Sequence, residues 1–135
     1  MHSQIYVNLP VKDLKRSVAF FTSLGYTFNP QFTDENATCM ELGGNLYAML
    51  LTEPFFKSFT KKAITDTRES TEVLTCVACS SREQVDELVA KARAAGAKVP
   101  REAQDHGFMY AHGYEDLDGH TWELVHMTGA PPPSH

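Results

Sequence analysis

Gln4-Ile-Tyr-Val-Asn-Leu9 alternates apolar and polar side chains, and Asp13-Leu-Lys-Arg-Ser-Val-Ala-Phe-Phe21 follows it closely. A period of two puts Ile5, Val7 and Leu9 on one face and Tyr6 and Asn8 on the other, the pattern of a half-buried strand. Asp13 is an N-cap residue, and Leu14, Val18 and Phe21 form one stripe at helical spacing. Gly25 supplies the left-handed residue that ends a helix. A strand followed by an amphipathic helix is therefore predicted.

Working outward, strand-like runs follow at 26–32, 37–42 and 46–51, parted by Asp34-Glu35-Asn36 and Gly43-Gly44-Asn45. The second half repeats this order. A strand is predicted at 72–79, and Ser80 and Ser81 are N-cap candidates with Glu83 and Gln84 placed for capping boxes. Val85, Leu88, Val89, Ala92 and Ala95 then recur at helical spacing, and Gly96 stops the helix. Strand-like runs come at 97–99, 108–114 and 120–127, the last two joined through the hairpin signal Asp118-Gly119. The expected organisation is one domain at 4–127, made of a first βαβββ module at 4–52, a linker at 53–71 and a second module at 72–127. The Pro-rich tail, 128–135, is expected to be disordered.

Composition narrows the classes. A chain of 135 residues with 42% hydrophobic and 21% charged residues is of ordinary globular make-up. At that length roughly 68% of the unfolded surface is buried on folding, enough for a core without staples. Twelve Lys and Arg against 17 Asp and Glu give a net charge of -5. No basic stripe offers itself to phosphates, so a nucleic-acid partner is not expected. No apolar run reaches the roughly 18 residues of a membrane span, and the start MHSQIY lacks the character of an export signal. The expected home is the cytoplasm, with no membrane partner. The odd count of three cysteines fits reduced thiols, and Cys76 and Cys79, read within one strand, point to opposite faces rather than forming a redox or zinc pair.

The opening from Tyr6 to Phe21 with Leu24-Gly25, and the closing Asp118-Gly-His-Thr-Trp-Glu-Leu124, resemble the glyoxalase / bleomycin-resistance protein / extradiol-dioxygenase superfamily, also called vicinal oxygen chelate proteins. The resemblance spans residues 4–127. It implies an α+β fold whose paired βαβββ modules form a curved-sheet cup, and a divalent metal held there by side chains of both modules. Such a metal acts as a Lewis acid on vicinal substrate oxygens. The implied ligand positions fall on Tyr6, Met49, Glu72 and Glu123. The set is incomplete, because a thioether does not suit a hard cation and a phenol ionises only near pH 10. Glu72 and Glu123 with waters could hold Mg²⁺ or Mn²⁺ weakly, but not a tight Zn²⁺, Ni²⁺ or Fe²⁺ of the usual kind. A divalent metal and no metal at all both stay open.

Three residues are candidates for catalysis. Alternation turns Trp122 and Leu124 towards the helices and Glu123 into the cup, as general base or as anchor for a cationic ligand. Glu72 begins its strand and reads equally well as a solvated residue. His106, between Asp105 and Gly107, is placed for a pocket rim, though a loop histidine is more often mere surface. Tyr6, Asn8, Tyr47, Met49, Leu74 and Phe108 are the expected ligand-pocket lining, while His112, His120 and His126 read as structural. Phe55, Phe56 and Phe59 would close the cup or cover a dimer interface. The resemblance implies a homodimer. Two functions follow: a protein that binds a small molecule in the cup, with or without metal, or a metal-dependent lyase, isomerase, dioxygenase or thiol transferase acting on a small oxygenated substrate.

Overall fold

The first strand, β1 (Ile5–Val11), leaves Tyr6 and Asn8 exposed and buries Leu9 as the alternation predicts, but Ile5 is 55% exposed and Pro10 is buried beside Leu9 and Val11. The computed structural model describes residues 1–129. These form two compact units, Met1–Asp66 and the chain from Thr67 onward. In the first, β1 is followed by helix α1 (Leu14–Ser23), β2 (Thr27–Asn29), β3 (Ala37–Gly43), β4 (Leu46–Thr52) and the short helix α2 (Glu53–Lys57). The sheet order is β1-β4-β3-β2, with β1 parallel to β4 and the other pairs antiparallel.

Capping follows the residues that signalled it. Asp13 accepts the Arg16 N–H at 3.1 Å at the start of α1. At its end Gly25 has φ 106°, and the N–H groups of Gly25 and Tyr26 donate to the Thr22 and Phe21 carbonyls. This paired closure satisfies the orphan carbonyls of the last turn, and only glycine takes its conformation without strain. Phe20 and Phe21 of the helix and Leu24 at its C-cap join Leu9, Val11, Met40, Ala48 and Leu50 in the first core.

The second unit contains β5 (Leu74–Ala78), α3 (Arg82–Ala94), β6 (Gln104–Asp105), β7 (Met109–Glu115) and β8 (Thr121–Met127) in the order β5-β8-β7-β6. Again the outer strand, β5, runs parallel to its partner β8. Ser81 caps the helix as expected, accepting the Gln84 N–H at 3.0 Å, while the Gln84 side chain accepts from the Ser80 N–H at 2.8 Å, one residue before the N-cap that a capping box would use. Helix α3 buries Val85, Val89 and Ala92, and the sheet contributes Tyr114, Trp122 and Leu124. The βαβββ order, α+β class and repeated topology are thus as expected from the sequence.

Four details differ. The run 26–32 breaks at Pro30, which has no N–H for a ladder, and a 3-10 turn over Pro30–Phe32 takes its place, capped by Asn29. Residues 97–99 form no strand; Lys98 alone bridges to Glu115, and the outer strand is instead the two-residue β6. The strand expected at 72–79 begins only at Leu74, so Glu72 and Cys79 lie outside it. The stretch read as linker includes helix α2, with Pro54 in its first turn. The tail expected to be loose lies, from residue 130, outside the described residues. No helix among the described residues is long and apolar enough to cross a membrane.

Candidate functional site

Pairing register decides which side chains of the second sheet stand together. Leu74, Thr121 and Glu115 are in line across β5, β8 and β7, and so are Cys76, Glu123 and Gly113. Side chains in line share a face. Trp122 and Leu124 take the other face and are wholly buried, while the Glu123 side chain keeps 26% of its exposure. The expected alternation at Glu123 is what the strand adopts.

Next to this open face runs the segment from Pro100 to Gln104, and between them lies a cleft of about 300 Å³. Its apolar lining comes from Leu74, Pro100, Ala111 and Tyr114. Its charged lining is Glu102, Glu115 and Glu123 against the single Arg101. The Arg101 Nη1 stands 4.0 Å from the Glu123 Oε1. Opposite Glu123, a Cβ on Gly113 would lie 2.5 Å from the Trp122 carbonyl oxygen and 3.0 Å from the Glu123 Oε2. Only glycine leaves that room, so the floor of the cleft beside the carboxylate is bare backbone.

The segment carrying Arg101 is fastened through its backbone. Lys98 and Glu115 exchange N–H···O bonds of 3.1 and 2.8 Å, and the His112 Nε2–H donates to the Arg101 carbonyl at 2.9 Å. Beside Glu123, Cys76 has its thiol pushed up, first by burial and then by the negative charge of Glu123.

Glu72 has a different partner. Its Oε1 lies 2.6 Å from the Nδ1 of His120, which is 3% exposed, so the carboxylate ties the approach to β5 onto the β7–β8 turn. The same turn is organised by Asp116. Its Oδ1 accepts the N–H groups of Asp118 and His120 at 2.9 and 3.0 Å, and its Oδ2 accepts the Trp122 indole N–H at 3.0 Å. Burial raises the Asp116 carboxyl above its ordinary value, against the lowering effect of His120 and these hydrogen bonds.

His106 and Phe108 lie outside β7, in the connection from β6. His106 sits in the β6–β7 turn, where Gly107 has φ 82° and the His106 N–H donates to the Met109 carbonyl at 2.8 Å. Met109 and Gly113 are four strand steps apart, roughly 13 Å at the usual rise, so His106 is not brought to Glu123. The two rings, His106 and Phe108, stand 6.5 Å apart outside the cleft lining.

The remaining expected lining residues belong to the first unit. Tyr6 and Tyr47 pair across β1 and β4 with rings stacked at 4.8 Å and 15°, and Asn8 is in line with Met49 on the same sheet face. Their hydroxyls are used locally, Tyr6 donating to Gln4 and Tyr47 to the Gly44 carbonyl.

These donors do not fit a metal centre. Glu72 is engaged by His120, Glu123 is then left as a single carboxylate, and Met49 offers only a thioether. Among the described residues no group of three or more His, Cys, Asp and Glu side chains could hold an ion. Arg101, Glu102, Glu115 and His120 went unread as site or partner residues. One signal was available: an isolated glycine at 113, within a strand pattern, marks a close backbone approach.

Residues 4–43 match the family of bleomycin resistance protein-like N-terminal segments. A hypothetical protein of S. aureus superposes with a TM-score of 0.78 at 26% identity, covering 93% of this chain and 94% of that one. The chain has the glyoxalase/bleomycin-resistance/dioxygenase fold. Two further structures of that fold are similar: a glyoxalase/bleomycin resistance protein/dioxygenase family enzyme of Burkholderia phytofirmans PsJN, with TM-score 0.74, 17% identity and coverage of 90% and 96%, and the bleomycin resistance determinant encoded on transposon Tn5, with TM-score 0.67, 18% identity and coverage of 95% and 100%. No curated protein matches this glyoxalase-like chain. The resemblance read from its opening and closing motifs is borne out.

Proposed function

We infer that this glyoxalase-like protein binds a small organic molecule in the cleft of its second unit, without a metal, and that the bound end of the molecule is cationic. The carrying observation is the lining itself. Three carboxylates against one guanidinium, next to Leu74, Pro100 and Ala111, suit an amphipathic cation better than an anion. Glu123, largely withdrawn from water in the middle of β8, is the anchor in this reading. A charge-assisted hydrogen bond there contributes about 1.5–3 kcal/mol, or more than tenfold in affinity.

The test is a thermal-shift and calorimetric screen in EDTA with organic ammonium and guanidinium compounds, matched carboxylates serving as controls. Saturable binding of cations that persists in EDTA and falls more than tenfold in Glu123→Gln is expected. Binding only after addition of Mg²⁺, Mn²⁺, Ni²⁺, Zn²⁺ or Fe²⁺ would return the protein to the metal-dependent enzymes. We read the working form as a homodimer. Phe59, 70% exposed and edge-on to Phe55 at 5.1 Å, supports a second copy as its cover, and the mass in solution tests it.

A further inference from the structure

Two arginines of the second unit face carboxylates in very different ways. Arg82 is locked: its Nη2 lies 2.7 Å from the Asp105 Oδ1, and its guanidinium rests 4.9 Å from the centre of the Tyr110 ring. Arg101 is not. Its closest approach to Glu123 is 4.0 Å, beyond direct hydrogen bonding, and its side chain is 65% exposed. Yet the backbone beneath it is held, by His112 at the Arg101 carbonyl and by the Lys98–Glu115 exchange. A fixed backbone with a loose side chain lets the guanidinium leave Glu123 without any movement of the cleft walls.

We propose that Arg101 is an internal competitor: its guanidinium occupies the cationic position beside Glu123 until a ligand's ammonium or guanidinium displaces it. This rests on the reading of the cleft as a cation site and adds what sets its affinity. Exposed pairs of this kind are weak and screened by salt, so displacement lowers ligand affinity by no more than about fivefold. Arg101 is on this account a specificity-determining residue. A cation that only equals a guanidinium gains little, whereas one whose apolar body also covers Leu74 and Pro100 wins the position.

The experiment is an amide chemical-shift titration of the whole chain with n-butylammonium and n-butylguanidinium, n-butyrate being the control, followed at Leu74, Gly113 and Glu123. Arg101→Gln is expected to tighten cation binding severalfold, up to about fivefold, at low salt, with the gain fading as salt rises. Arg101→Lys should stay close to wild type. Lys91→Gln removes the same charge from the Lys91–Glu87 pair on α3 and controls for the general field; it should change affinity far less. Binding by wild type that is unchanged or weaker in Arg101→Gln, or equally tightened in Lys91→Gln, overturns the competitor role and leaves the cation site standing. No binding of either probe to wild type or Arg101→Gln overturns both.

Discussion

Cys76 is exposed and stands in line with Glu123 across the β5–β8 pairing, a position that makes its thiol a reporter of the carboxylate. Because partial desolvation on the sheet face and then Glu123 push this thiol up, little thiolate is present near neutrality. Glu123→Gln removes the second cause, so Cys76 should alkylate faster with iodoacetamide in that variant, as read by mass spectrometry of the peptide. An unchanged rate would mean that the carboxylate does not act on the thiol. At Gly113 the prediction concerns stability. A Cβ would meet the Trp122 backbone oxygen, which cannot swing aside, so Gly113→Ala should destabilise by about 1–3 kcal/mol in urea. A neutral substitution would show that the two strands part easily there.

At the scale of elements, the β7–β8 connection holds one buried acid, Asp116, and one buried histidine, His120, which takes its carboxylate partner, Glu72, from the approach to β5. Asp116→Ala strips three hydrogen bonds, one of them from the buried indole, and should cost about 3 kcal/mol. Between the ordinary and the raised Asp116 value the folded chain keeps a proton that the unfolded chain has released. Its contribution to stability therefore falls as pH rises through that window. Wild-type stability minus that of Asp116→Asn, measured by urea from acid to neutral pH, should decline with pH; a rise would contradict the burial argument. Glu72→Ala leaves the buried His120 without this carboxylate and should cost about 1–3 kcal/mol while sparing cation binding. Both helix caps, the strand alternation and the turn glycines were legible in the sequence because each depends on residues within five positions of one another. Strand β6 was not, since two residues such as Gln104 and Asp105 carry no period and become a strand only by pairing with β7. The Glu72–His120 pair spans 48 positions and Arg101–Glu123 spans 22, so both exist only once the sheet has closed.

Taken as a whole, the molecule repeats one topology in two units and loads them differently. The first presents stacked tyrosines on its sheet face, the second an acidic cleft. With a net charge of -5 the whole protein attracts cations from solution, which adds to the cation binding proposed at the cleft. Cation affinity should therefore fall between low salt and about 0.15 M salt, where the screening length shortens to about 8 Å; calorimetric titrations at the two strengths check it. Salt-independent binding would mean that apolar contact carries the interaction.

The chain's one tryptophan is Trp122, buried without exposure in the second unit and donating to Asp116. Its fluorescence is consequently a private channel: emission comes from the second unit alone, while circular dichroism sums both. A denaturant scan watched in the two channels at once would show a single superimposed curve if the repeats melt together, and two curves if each keeps its own stability.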